Sequence, residues 1–129
     1  MEELTLTHSE WNVLDCLWDR SPMTVMELVA ALRERVGWAK STTITTLRRM
    51  EDKGLVRAEV RGRTRHYFPA VDRARAVRRE TRSFLDRVYR GSVGLMVSAM
   101  AQDQALTREE IDALYEILRR AERKGGEGT

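Results

Sequence analysis

WAKSTTITTLRRMEDK, residues 38–53, is the stretch on which the reading of this chain turns. Placed on a helix at about 100° per residue, it sets Ile44, Leu47 and Met50 on one side. Thr42, Thr45, Thr46, Arg49 and Lys53 fall roughly opposite. Short hydroxyls interleaved with long cations suit a helix lying in a DNA major groove. Arginine forks onto guanine edges; threonine offers a hydroxyl to phosphates or bases and a methyl to thymine. Ser41 or Thr42 is placed to cap the helix start, and Gly54 supplies a left-handed stop after Lys53. A solvated polar face on an ordinary core helix has the same residue types, so the flanking sequence must decide.

Downstream lies a hairpin pattern. Leu55 to Arg61 alternates loosely, Gly62-Arg63 can turn, and Thr64-Arg65-His66-Tyr67-Phe68 returns before Pro69. Upstream, Thr7-His8-Ser9-Glu10 reads as a capping box opening a helix that carries Trp11, Leu14, Leu17 and Trp18 at helical spacing. Ser21-Pro22 ends that helix. Thr24-Val25-Met26-Glu27 opens a second, with Leu28, Val29 and Leu32 inward, and Gly37 breaks it. Three short helices with a tight connection before the last, followed by a basic hairpin, make a winged helix. Arg61, Arg63 and Arg65 would then reach the DNA backbone or minor groove beside Lys53 and the helix. Solubility of an exposed sheet edge is the alternative use for those arginines.

Composition sets the bounds. At 129 residues, with 33% charged and 42% hydrophobic residues, the chain fits one helix-rich globular domain or a domain with an appendage. The net charge of +3 is modest, but it is unevenly placed. Residues 40–65 hold eight Lys/Arg against three Asp/Glu, and residues 73–90 hold seven Arg against two acids. Arginine, the better phosphate fork, dominates both stretches. The basic helix at 73–90 would touch phosphates if it lay beside the head; a solvated face accounts for it equally well. The single cysteine, Cys16, excludes an internal disulfide or a multi-cysteine metal site and reads as a small buried hydrophobe. No apolar run spans a membrane, and the acidic N-terminus MEELTLTHSE is no signal peptide, so a cytoplasmic protein is expected.

After Pro69 the pattern is helical. Asp72 can cap a helix in which Val77, Phe84, Leu85 and Val88 share a face, and Gly91 interrupts. Val93–Ala101, VGLMVSAMA, is apolar nearly all round and must be covered on more than one side. Thr107-Arg108-Glu109-Glu110 is a third capping box, followed by Ile111, Leu114, Tyr115 and Leu118 at helical spacing. In so short a chain a second subunit is the natural cover. Phe84, Leu85, Val88, Leu95, Met96, Val97, Met100, Ile111, Leu114 and Leu118 are the expected dimerisation residues. The expected fold is mainly α with a small β-hairpin: a winged helix-turn-helix head over 1–70, a helical dimerisation region over 71–123 and a disordered tail, KGGEGT, over 124–129.

Several motifs, in order along the chain, are similar to a known family. Trp11 with Leu14, Leu17 and Trp18, WAKSTTITTLRRM, KGLV at 53–56, GRTRHYFP at 62–69, Tyr89-Arg90-Gly91-Ser92 and LTREEI at 106–111 resemble the penicillinase-repressor (BlaI/MecI) family of winged-helix repressors. The resemblance runs from Leu4 to Arg120. It implies a homodimeric repressor of a palindromic operator whose recognition helix touches DNA through Ser41, Thr42, Thr45 and Arg49. It also implies release by proteolysis within the dimerisation tail, driven by a membrane sensor of β-lactams, as in regulators of antibiotic resistance. The cleaved bond would correspond to Ala99–Met100, where the best-known members carry Asn-Phe. A copper-responsive branch has paired cysteines near the C-terminus, which this chain lacks.

Three other functions are weighed against an operator-binding repressor. A winged-helix interaction module or antirepressor would turn its basic hairpin to an acidic partner. A ligand-sensing repressor would use a pocket between head and tail, lined by residues 93–101. An enzyme is disfavoured: His8 and His66 lie far apart, and the capping box already accounts for the His8-Ser9-Glu10 cluster. Neither a metal site nor a cofactor is expected.

Overall fold

The computed structural model describes residues 6–103 and 105–128, with side chains to Gly125. The first five residues of the acidic N-terminal segment and Thr129 of the expected tail lie outside it. The chain divides into two units, Met1–Arg82 and Ser83–Thr129.

In the first unit, α1 (His8–Asp19) opens on the expected capping box. Glu10 N–H donates to Thr7 Oγ1 at 3.1 Å, and Thr7 N–H donates to Glu10 Oε1 at 2.9 Å. The helix buries Val13, Leu14, Cys16 and Leu17, while Trp11 and Trp18 meet edge-on at its flank, centroids 5.4 Å apart. Cys16 is the small core residue expected, and burial pushes its thiol up. Helix α2 (Val25–Val36) repeats the scheme with Thr24 and Glu27 and buries Leu28, Val29 and Leu32. Gly37 at φ 73° ends it, and Trp38 N–H bonds back to Leu32 O.

Helix α3 runs from Lys40 to Asp52, two residues shorter at its start than the sequence suggests. Ala39 occupies the N-cap without a side-chain bond, so neither Ser41 nor Thr42 caps it. Its end is a Schellman closure around Gly54 at φ 78°. Gly54 N–H bonds Glu51 O at 3.1 Å and Leu55 N–H bonds Met50 O at 2.9 Å. Leu55 and Met50 are both buried, so this closure joins the helix end to the core.

The hairpin forms as expected, from β2 (Val56–Arg61) and β3 (Thr64–Pro69), with Arg61 opposite Thr64 across the Gly62-Arg63 turn. Gly62 takes φ 67°, the positive value that a two-residue hairpin loop demands. A third strand, β1 (Met23–Thr24), pairs antiparallel to β3 through Met23↔Tyr67 and Thr24↔His66. The sheet order is β1-β3-β2. One core joins α1, α2, α3 and the sheet through Leu14, Leu17, Leu32, Leu47, Met50 and Tyr67, among others. Fully burying side chains of this size contributes roughly 1.5–3 kcal/mol each before entropy is counted.

Helix α4 (Arg73–Tyr89) is capped by Asp72, whose Oδ2 accepts from Arg75 N–H at 3.0 Å. The first unit extends past residue 70 because this helix starts against the head. Trp18 Nε1 donates to Val71 O at 3.0 Å, and the Arg73 guanidinium lies 6.0 Å from the Trp18 ring. In the second unit, α5 (Val93–Gln102) starts at a Ser92 cap, and none of its residues is buried. Helix α6 (Arg108–Gly128) opens on the third capping box, Thr107 with Glu110. It continues through Gly128, so residues 124–128 are helical where composition suggested a disordered tail.

Candidate nucleic-acid interface

Helix α3 presents Ser41, Thr42, Thr45, Arg48 and Arg49 to solvent. Ser41, Thr45 and Arg48 stand at i, i+4 and i+7 on one stripe, with Thr42 and Arg49 on the next. A shallow depression of about 280 Å³ is lined by Ser41, Thr42, Thr45, Thr46 and Arg49. Neither arginine has an ion-pair partner among the described residues. The residue pattern of 38–53 does not by itself single out Arg48, although its i+7 spacing from Ser41 is a signal for it.

Thr46 is a correction. It is only 3% exposed, and its hydroxyl donates to Thr42 O at 2.7 Å, so it belongs to the inward side of α3. Thr43 is buried too, its Oγ1 without a hydrogen-bond partner among the described residues. The inward face is therefore Thr43, Thr46, Leu47 and Met50, with Ile44 only half-buried at its margin. Methyl groups of β-branched threonines fill core space as valines do, and the Thr46 hydroxyl, unlike that of Thr43, satisfies itself on the preceding turn.

Three cations assigned to DNA are engaged within the chain. Lys53 Nζ pairs with Glu10 Oε2 at 2.5 Å, joining the end of α3 to the start of α1. Burial alone would raise the Glu10 carboxyl, but the bonds from Lys53 and Thr7 outweigh it and leave the group below the usual carboxylate range. Arg65 of β3 bridges to Glu51 of α3 at 2.6 Å, bracing the wing against the helix. Arg61 and Arg57 both hold Glu59, at 3.2 and 2.7 Å, while their guanidiniums lie 5.5 and 4.2 Å from the Phe68 ring centre. Hydrogen bonds from Arg57 and then Arg61 keep the Glu59 carboxyl below its ordinary value. Arg63, in the turn, has no such partner among the described residues and is exposed.

A family model described as penicillinase repressor matches residues 6–120. The chain belongs to the penicillinase repressor family. Among curated relatives, the penicillinase repressor of Bacillus licheniformis is 30% identical over 113 residues, covering 88% of each chain. The methicillin resistance regulatory protein MecI of Staphylococcus aureus (strain N315) is 20% identical over 113 residues, covering 88% of this chain and 92% of its own. Among solved structures, the DNA-binding domain of the repressor BlaI matches with TM-score 0.51 and 25% identity, over 57% of this chain and 92% of that one. The same values hold for the monomeric form of Bacillus licheniformis BlaI in complex with the blaP half-operator. The family and the winged-helix fold suggested by the sequence motifs both stand.

In the second unit of this penicillinase-repressor chain, the residues expected at a dimer contact differ in exposure. Phe84, Val88, Leu95, Met100 and Leu118 are 40–61% exposed, with Val93, Tyr115 and Ile117 equally open beside them. Met96, Val97, Ile111 and Leu114 are half-buried. Leu85 is a correction: at 7% exposure it is filled into the single chain and offers no surface to a partner. The Ala99–Met100 bond lies inside α5, with Ala99 half-buried. Among the described residues no group of His, Cys, Asp and Glu is placed to hold a metal ion, and no helix is long and apolar enough to cross a membrane.

Proposed function

We propose that the chain is a dimeric repressor that occupies a pseudo-palindromic operator, with α3 in the major groove and the wing beside it on the backbone. Family membership makes it a DNA-binding transcriptional repressor; the dimer, the operator geometry and the release step are our reading. The observation that carries it is the joint exposure of Ser41, Thr42, Thr45, Arg48 and Arg49 on the third helix of a winged helix. That is the residue set a helix needs to position itself on phosphates and read base edges. A related repressor, BlaI, has been solved on a half-operator, which supports the same placement here.

The dimer rests on the apolar side chains left open on α4, α5 and α6. So many exposed large hydrophobic residues on these three helices mark an association surface. A two-fold dimer would set its half-sites about one DNA turn apart, or a multiple of that. Joining two weak heads raises the effective local concentration of the second, so damage to the second unit would release DNA without touching α3. Cleavage at Ala99–Met100 is one such route.

Footprinting on the promoter upstream of the chain's own gene, with competitor DNA at near-physiological salt, tests the proposal. Protection of two related half-sites is expected. Uniform, sequence-independent protection would reject operator recognition.

A further inference from the structure

The wing carries four arginines, yet the structure commits three of them before any DNA arrives. Arg57 and Arg61 clamp one carboxylate, Glu59, at 2.7 and 3.2 Å, and lie over Phe68. Arg65 reaches the other way, to Glu51 of α3 at 2.6 Å, with Tyr67 Oη at 3.4 Å as a second acceptor. A carboxylate shared by two guanidiniums, each through one nitrogen, neutralises charge that would otherwise face a phosphate. Only Arg63 is left exposed at the tip without such a partner among the described residues.

We propose that Glu51 and Glu59 limit sequence-independent DNA binding by holding Arg65, Arg57 and Arg61 within the protein, leaving Arg63 as the wing's phosphate contact. The inference rests on the DNA-binding reading above. Its physical basis is counterion release. Each phosphate neutralised adds about 0.9 to the steepness with which affinity falls with salt. Each arginine kept on a glutamate removes one such contact. A head with fewer phosphate contacts leaves random DNA sooner, and more of its affinity then comes from the α3 face.

The test uses the full chain and a random-sequence duplex, with affinity measured across a salt series. Glu59→Gln and Glu51→Gln keep size and hydrogen bonding while removing the charge that holds the arginines. Glu51→Gln is expected to steepen the salt slope by about 0.9 and Glu59→Gln by about one to two, each released arginine giving roughly fivefold tighter binding at 0.15 M salt. Thermal unfolding of each variant, expected to match wild type, separates the gain from structural damage. Arg63→Ala should flatten the slope by about 0.9, whereas Arg61→Ala should leave it unchanged. Slopes for both glutamine variants equal to wild type, or an Arg61→Ala loss matching that of Arg63→Ala, would overturn the assignment. Discrimination by the wild-type chain between operator and random duplex reports on the proposed function. The differences among variants on random duplex report on this inference alone.

Discussion

Glu10 holds the start of α1 and the end of α3 together, and its replacement gives a graded, pH-dependent loss of stability. The residue is 4% exposed, with one carboxylate oxygen on the Thr7 amide and the other on Lys53. In Glu10→Gln the amide oxygen still serves the capping box, for which glutamine is competent. What is lost is the ion pair, and because the Lys53 side chain is 54% exposed, solvent screening holds that loss to about 1 kcal/mol. Glu10→Ala removes the capping acceptor as well and should cost about 2 kcal/mol in all. For a head of this size, each kcal/mol corresponds to roughly 4–8 °C in Tm. The pH dependence follows from the depressed carboxyl. Its stabilisation is complete above the unfolded carboxylate value of about 4.3 and disappears as pH falls through the lower folded value. Thermal or urea unfolding of wild type and both variants between pH 3 and 7 therefore has a distinctive expectation. The wild-type advantage over Glu10→Gln should be flat from pH 5 to 7 and shrink below pH 4. An advantage that is absent at pH 7, or that persists unchanged at pH 3, would refute the account of Lys53 as a structural tie.

Three further outcomes are expected. Thr43→Val should stabilise the head by about 1 kcal/mol in urea unfolding, because it replaces a buried hydroxyl that has no partner with a methyl of the same shape; a destabilised variant would show that the hydroxyl is satisfied. Arg49→Ala should cost roughly 1–3 kcal/mol of operator affinity if its side chain reads a base, and unchanged affinity would remove it from the contact set. Leu118→Asp places a charge on an open apolar face, where Leu118 is 61% exposed; it should weaken self-association by about 3 kcal/mol while leaving the head folded. A variant still fully dimeric in sedimentation at micromolar concentration would move the interface off α6.

The parts of this fold that depend on short-range chemistry were legible in the sequence. Thr7/Glu10, Thr24/Glu27 and Thr107/Glu110 each formed the expected capping box, and Gly37, Gly54 and Gly62 took the left-handed backbone their turns require. The face of α3 was read less well. Counting threonine as polar set the inward direction by Ile44, Leu47 and Met50 alone, whereas Thr43 and Thr46 also point inward and turn the buried face away from Ile44. Strand β1 is two residues long and exists through its pairing with Tyr67 and His66, more than forty positions away, so no local pattern announces it. Nor does spacing reveal which cations are already taken. Lys53 meets Glu10 across 43 residues, and Arg65 meets Glu51 across 14. Only the packing of the helices and wing brings those charges together.

The order of the sheet bears on how these heads behave when crowded. Both of its outer strands are poor templates for joining another chain edge to edge. On one side β1 offers just Met23 and Thr24. On the other, β2 carries the charged row Arg57, Glu59 and Arg61, which a neighbouring strand would have to accommodate. A neutral, β-branched β2 would be a flat, sticky border instead. The charged row thus gives the wing a second benefit, keeping an exposed hairpin from seeding aggregation at high local concentration.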